Sequence, residues 1–179
     1  SFYIDQPNGQ QYFTYLVEEL PRYLEDVFGI PPLRENTLVA GVSMGGYGAF
    51  KAALLRPERF YAAASLSGVL SLAVLSLMPD DARRTEFAQL FGGLERLPGS
   101  EHDAAAWLQR AAQKPGELPH LFISTGRQED IYPLSAQFYA ACQRLGVAAD
   151  YHEEDGRHEW PFWNSQIQRF LAQVLEPIA

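Results

Sequence analysis

Thr37-Leu38-Val39-Ala40-Gly41-Val42-Ser43-Met44-Gly45-Gly46-Tyr47-Gly48-Ala49 is the stretch that decides the fold. Its first six residues are short, apolar and β-rich, as a buried parallel strand should be. From Gly45 to Leu55 the pattern is helical, ending near Pro57. Between them lies Gly-x-Ser-x-Gly, Gly41 to Gly45. A strand-to-helix junction is the context that gives this motif meaning: Ser43 stands on a sharp turn with its hydroxyl clear of the sheet. Side chains two positions either way would collide with the neighbouring strand and helix, so both positions are Gly. The backbone N–H of Met44 is then placed to donate to a developing oxyanion, helped by the positive end of the helix.

Outward from this junction, strands and helices alternate. Tyr12 to Phe28 carries apolar residues at near-helical spacing, with Pro21 as a bend or start and Gly29 as a stop. Pro31-Pro32 is a connector. Phe60 to Ser67 is a second run of strand length, Leu121-Phe122-Ile123-Ser124 a third strand and Ala149 to Glu153 a fourth. Helices are expected at Asp103 to Gln113, Leu134 to Leu145 and Phe162 to Leu175. Residues 71–98, broken by Pro79, Gly92, Gly93 and Pro98, form an expected helical cap insertion. The alternation predicts an α/β fold, a mostly parallel sheet with helices on both faces. Chemistry in such sheets sits at the carboxyl ends of the strands.

A serine hydroxyl needs a base, and histidine is the usual one. The chain has four histidines. His102, His120 and His152 read as surface or packing residues. His158 follows Gly156-Arg157 in the loop after the last strand, before the terminal helix, where a base would be carried. The acid that orients the imidazole is expected just past the third strand, in Gly126-Arg127-Gln128-Glu129-Asp130. Asp130 is preferred and Glu129 is the near competitor. The order Ser43, Asp130, His158 is nucleophile, acid, base. Glu154 and Asp155 are expected to be solvated.

Composition bounds the class. The chain has 179 residues, 47% hydrophobic and 20% charged, enough for one globular domain over residues 1–179 with a substantial core. The net charge of −8 argues against nucleic acid or an anionic membrane as partner. Cys142 is the only cysteine, so no internal disulfide forms, and no Cys/His cluster has zinc spacing. No apolar run reaches membrane-spanning length, and a cytoplasmic location is the default expectation. The expected partner is a small-molecule ester; a homo-oligomer is compatible.

At these residues the sequence resembles a known family. Gly41 to Ala49 is similar to the elbow of the tributyrin esterase and S-formylglutathione hydrolase (esterase D) family. So are Ser65-Leu66-Ser67-Gly68, Gly126 to Asp130, and Gly156-Arg157-His158-Glu159-Trp160-Pro161-Phe162-Trp163. Tyr3-Ile4-Asp5 with Pro7-Asn8-Gly9 resembles the segment preceding the elbow helix, and Tyr47 after the double Gly looks more like the tributyrin-esterase branch. The resemblance covers essentially the whole chain. It implies an α/β-hydrolase fold, short-chain carboxylesterase activity, a triad at Ser43, Asp130 and His158, and no metal or organic cofactor. Trp160, with Phe162 and Trp163, is expected near a short acyl pocket, although the last two equally suit packing of the terminal helix.

One departure matters. In this fold the nucleophile strand is central, yet only about forty residues, mostly helical by pattern, precede Ser43. The loop expected to give a second oxyanion donor is not among them. The expectation is a C-terminal portion of a longer protein, with an open sheet edge and half an oxyanion hole. Three functions fit the same residues: ester hydrolysis (including thioester hydrolysis of the S-formylglutathione type), acyl transfer to an alcohol or sugar acceptor as in mycolyl-transferase relatives, and a non-catalytic hydrolase scaffold.

Overall fold

The computed structural model describes residues 2–77, 79 and 81–175. Four strands, β1 (Leu38–Val42), β2 (Ala62–Leu66), β3 (His120–Gly126) and β4 (Asp150–Glu154), form one sheet in the order β1-β2-β3-β4. All three pairings are parallel, with Leu38 opposite Ala62, Ala62 opposite His120, and Phe122 opposite Asp150. β2 is buried throughout and β3 from its second residue onward, whereas β1 and β4 are only partly covered. This matches the sequence pattern: Ala62-Ala63-Ala64 and Leu121-Phe122-Ile123 have no polar alternation, as central parallel strands require.

Successive side chains of the central strands point to opposite faces. Ala63, Leu121 and Ile123 join one core with Phe50, Phe138 and Cys142, from α3 (Met44–Leu55) and α6 (Tyr132–Leu145). That core also holds Trp107 and Leu108 of α5 (Ala104–Ala111). Ala62, Ala64, Leu66 and Phe122 face the other way, onto Phe170, Ile167 and Trp163 of α7 (Trp160–Val174). Helices therefore cover both faces, as the alternation predicts. Cys142 is buried filler, and burial pushes its thiol up to about 12.

The first helical stretch has a physical surprise. It runs as α1 (Tyr12–Thr14), a π turn at Tyr15–Glu19 and α2 (Leu20–Phe28), capped by Gly29 in the left-handed conformation. Pro21 has no N–H to donate and its ring crowds the preceding turn; the π turn widens the helix just before it. The expected cap region contains a short 3-10 segment at Leu72–Leu77, then α4 (Ala82–Phe91) and a further 3-10 turn at Leu94–Arg96. Within it, Met78 and Asp80 lie outside the described residues. Among the described residues β1 carries no strand on its outer side, and Ala40 is exposed there. No helix among them is long and apolar enough to cross a membrane.

Candidate active site

Ser43 follows β1 directly and caps α3 with φ 56° and ψ −116°, outside the regions favoured by L-residues. The reason is local. The Ser43 N–H extends the sheet by donating to Leu66 O at 2.8 Å, and its carbonyl already accepts from Gly46 and Tyr47 N–H at 3.0 and 3.2 Å. One residue must change from extended to helical, and Ser43 takes the turn. A Cβ on Gly41 would stand 2.1 Å from Gly45 O, so the motif's first glycine is demanded by close approach. One on Gly45 would meet only Tyr3 Oη at 3.7 Å, an ordinary contact, so the collision expected at both positions holds for Gly41 alone. Met44 opens α3, where an N–H has no carbonyl of its own helix to reach.

β3 and β4 continue their pairing into the loops that follow. Arg127 N–H donates to Glu154 O at 2.9 Å, Gln128 N–H to Gly156 O at 3.1 Å, and Gly156 N–H to Gln128 Oε1 at 2.6 Å. A Cβ on Gly126 would lie 2.3 Å from Gly156 O, so the two loops meet backbone to backbone. That contact sets Glu129 and His158 side by side. His158 Nδ1 lies 3.1 Å from Glu129 Oε2. A carboxylate only accepts, so Nδ1 carries its proton toward it and Nε2 is left as the basic nitrogen of the neutral ring.

The Glu129 side chain is fully buried, while that of His158 is 39% exposed. The other carboxylate oxygen, Oε1, accepts from Gly126 N–H at 3.0 Å and from the Ser67 hydroxyl at 2.5 Å. The indole N–H of Trp163 donates to Ser67 Oγ at 3.0 Å, and its ring meets the His158 imidazole edge to face at 4.8 Å.

The expected acid, Asp130, is not the carboxylate on His158. Asp130 is exposed, and Glu129 takes the place. The physical reason is reach. The Glu129 N–H donates to Gly126 O at 3.2 Å, closing a tight turn, and the longer side chain curls back under it to the tip of β3. Asp130, one residue on, faces out just ahead of α6. Trp163 was expected near the acyl pocket and does line the groove. Its bond to Ser67, and the bond of Ser67 to Glu129, were missed because they span 96 and 62 positions; the sequence signals were polar Ser67 ending an apolar strand and the family-like Ser65 to Gly68.

The remaining candidates fall elsewhere. Trp160 is 75% exposed and lies edge-on to Trp163. It lines an open, mainly apolar groove of about 270 Å³ with Gly41, Val42, Leu66, Trp163 and Ile167. Phe162 is buried against Gly156 and packs the helix. His152 stacks near Phe122, His120 lies beside Tyr61, and His102 packs on Phe91. Asp155 is solvated, its side chain 82% exposed in a surface pair with Arg127, while Glu154 is half-exposed and pairs with Arg169. Among the described residues no three His, Cys, Asp or Glu side chains gather as a metal would require.

A strained serine at a strand-to-helix turn, with a histidine and a buried carboxylate on neighbouring loops of a parallel sheet, defines an α/β-hydrolase fold. The chain belongs to the Esterase family, described as "Putative esterase", whose model matches residues 4–174. An acetyl esterase of Caldicellulosiruptor saccharolyticus is 31% identical over 173 residues, which cover 93% of this chain and 65% of that protein. A diacylglycerol acyltransferase/mycolyltransferase of Mycobacterium leprae is 25% identical over 90% of this chain and 56% of its own length. An S-formylglutathione hydrolase of Staphylococcus aureus superposes with a TM-score of 0.85 at 28% identity, over 98% of this chain and 68% of that one. The chain thus spans about two thirds of that acetyl esterase and of that hydrolase.

Proposed function

We propose that this chain carries the catalytic residues of a serine carboxylesterase acting on short acyl esters, with Ser43 as nucleophile, His158 as general base and Glu129 as the acid. The observation that carries the reading is the Glu129–His158 hydrogen bond on the loops beyond a Gly-x-Ser-x-Gly elbow. Ser43 Oγ attacks the acyl carbon while His158 Nε2 takes its proton. Glu129 holds the ring in the tautomer that leaves Nε2 basic and stabilises the imidazolium that forms. The Met44 N–H donates to the oxyanion. His158 then gives the proton to the leaving alcohol, an acyl-Ser43 remains, and water attacks it with His158 again as base. Trp160 and the groove beside it suit a short acyl or alcohol group.

The acetyl esterase relative favours hydrolysis of a small acyl group. The mycolyltransferase relative favours a second reading, transfer of the acyl group to an alcohol. A fluorophosphonate probe tests the common part: Ser43 becomes labelled, and Ser43→Ala abolishes labelling. Rates with nitrophenyl acetate, with and without an added alcohol, divide hydrolysis from transfer. An unlabelled Ser43 in folded protein leaves only a non-catalytic hydrolase scaffold or a fragment inert without the rest of its protein.

A further inference from the structure

Ser67 stands to β2 as Ser43 stands to β1. Val42 and Leu66 are register partners, and each serine continues the ladder one step, with Ser67 N–H donating to Ser124 O at 2.8 Å. Both serines have positive φ, 56° and 49°. Strain of this kind persists where the surroundings over-determine it. The nucleophile turn accounts for Ser43. Ser67 is 0% exposed, so no substrate reaches it.

What the strained backbone does is aim the Ser67 hydroxyl. The indole N–H of Trp163 can only donate, so Ser67 Oγ accepts it and its own hydrogen is committed to Glu129 Oε1. Glu129 then has three donors: Gly126 N–H, Ser67 O–H and His158 Nδ1–H. The Trp163 ring closes the circuit by packing edge-on against His158. Of the other charged groups of these loops, Arg127 pairs with Glu153 and Asp155 and Arg169 with Glu154, while Asp130, Arg157 and Glu159 are exposed. Tyr132 and Tyr151 donate to Glu153.

We infer that Ser67 and Trp163 are positioning residues for the acid–base pair: Trp163 orients the Ser67 hydroxyl, and that hydroxyl fixes the rotamer of Glu129 and spreads its charge. The inference rests on the catalytic reading of Ser43, His158 and Glu129. Without the Ser67 hydroxyl the carboxylate binds the imidazole N–H more tightly and less directionally.

Two variants separate this role from simple packing. Ser67→Ala removes the hydroxyl and keeps the strained φ, whereas Ser67→Gly removes the hydroxyl and relieves the strain. Both are expected to slow fluorophosphonate labelling of Ser43 about tenfold, the worth of one hydrogen bond to a charged group. Both are expected to move the rise of the rate to higher pH, even though Ser67→Gly melts above Ser67→Ala. Trp163→Phe, which keeps a ring and loses the N–H, moves the profile the same way by less. Rates that follow melting temperature, or an unmoved pH profile in the Ser67 variants, overturn the inference.

A second readout is independent of the nucleophile. The downfield Nδ1 proton of His158 in the NMR spectrum should shift in both Ser67 variants. If Ser43 is unlabelled in the parent protein, the esterase reading fails, and this resonance still decides the relay: movement supports it, and constancy overturns it.

Discussion

Glu129 Oε2 lies 3.1 Å from His158 Nδ1, while the adjacent Asp130 faces solvent. Two neighbouring carboxylates thus have opposite expected effects. Glu129→Gln conserves shape but offers an amide in place of the charge that steadies the imidazolium. Labelling of Ser43 should fall on the order of a thousandfold or more, as loss of a triad carboxylate does elsewhere. Asp130→Asn should leave the rate unchanged and stability within about 0.5 kcal/mol. Stopped-flow labelling of the two variants, with melting curves to confirm folding, checks both. A reversed order would return the role to Asp130.

The turn at Ser43 stores strain for function. Ser43→Ala should abolish labelling while leaving stability nearly unchanged. Ser43→Gly should abolish it too, yet unfold at higher denaturant than Ser43→Ala, because glycine accepts φ 56° freely. A gain of about 1 kcal/mol is expected, the lower end of what such backbone strain stores. Equal midpoints for the two variants in urea would show that the turn is unstrained.

Gly41 and Gly116 make a matched pair for the elbow. A methyl on Gly41 meets the Gly45 backbone at 2.1 Å, whereas one on Gly116 meets nothing within 4 Å. Backbone cannot swing aside as a side chain does, so Gly41→Ala should cost about 3 kcal/mol or prevent folding. Gly116→Ala should stay within about 0.5 kcal/mol of the parent. Urea unfolding, or yield of folded protein, distinguishes them.

What the sequence disclosed follows from the range of each interaction. The strands β1 to β4 fall within two or three residues of their expected bounds, because continuous apolar runs between helical patterns are local signals. Ser43 was legible because its turn, its two glycines and the following helix are contiguous. His158 was legible from its place after the last strand. The acid expected from the sequence is Asp130 and the structure puts Glu129 there instead, since the choice depends on which side chain folds back under the β3 tip. That geometry is set by Gly126 meeting Gly156, thirty positions away. The Trp163–Ser67–Glu129 chain joins three separate elements, and no periodicity encodes it. Pro21 was read as a bend or a start; the π turn before it is the local answer to a missing N–H.

Lys51 gives the last prediction, and its sign follows from burial. Its side chain runs beneath the N-terminal segment, donates to Tyr3 O at 2.7 Å and lies 5.0 Å from the centre of the Phe13 ring. Burial lowers its pKa to about 8, against the opposing pull of Glu101 and Asp5. Below pH 8 both the folded and unfolded chains hold the proton, and the desolvation penalty is present in full. Between pH 8 and the ordinary lysine value of 10.5 the unfolded chain keeps the proton that the native state has released. The unfolded state binds more protons there, so this group makes stability rise with pH. At about 1.4 kcal/mol per pH unit the rise amounts to roughly 3.5 kcal/mol at most. Cys142, Tyr47 and Tyr151, whose pKa values burial raises, also bear on stability in alkali. Lys51→Met shares those groups and cancels them. The unfolding free energy of the parent minus that of Lys51→Met, measured in urea from pH 7 to 11, should therefore climb between pH 8 and 10.5 and level off on either side. A flat difference would mean that the ammonium is hydrated in the folded protein and that its bond to Tyr3 O is not shielded from water.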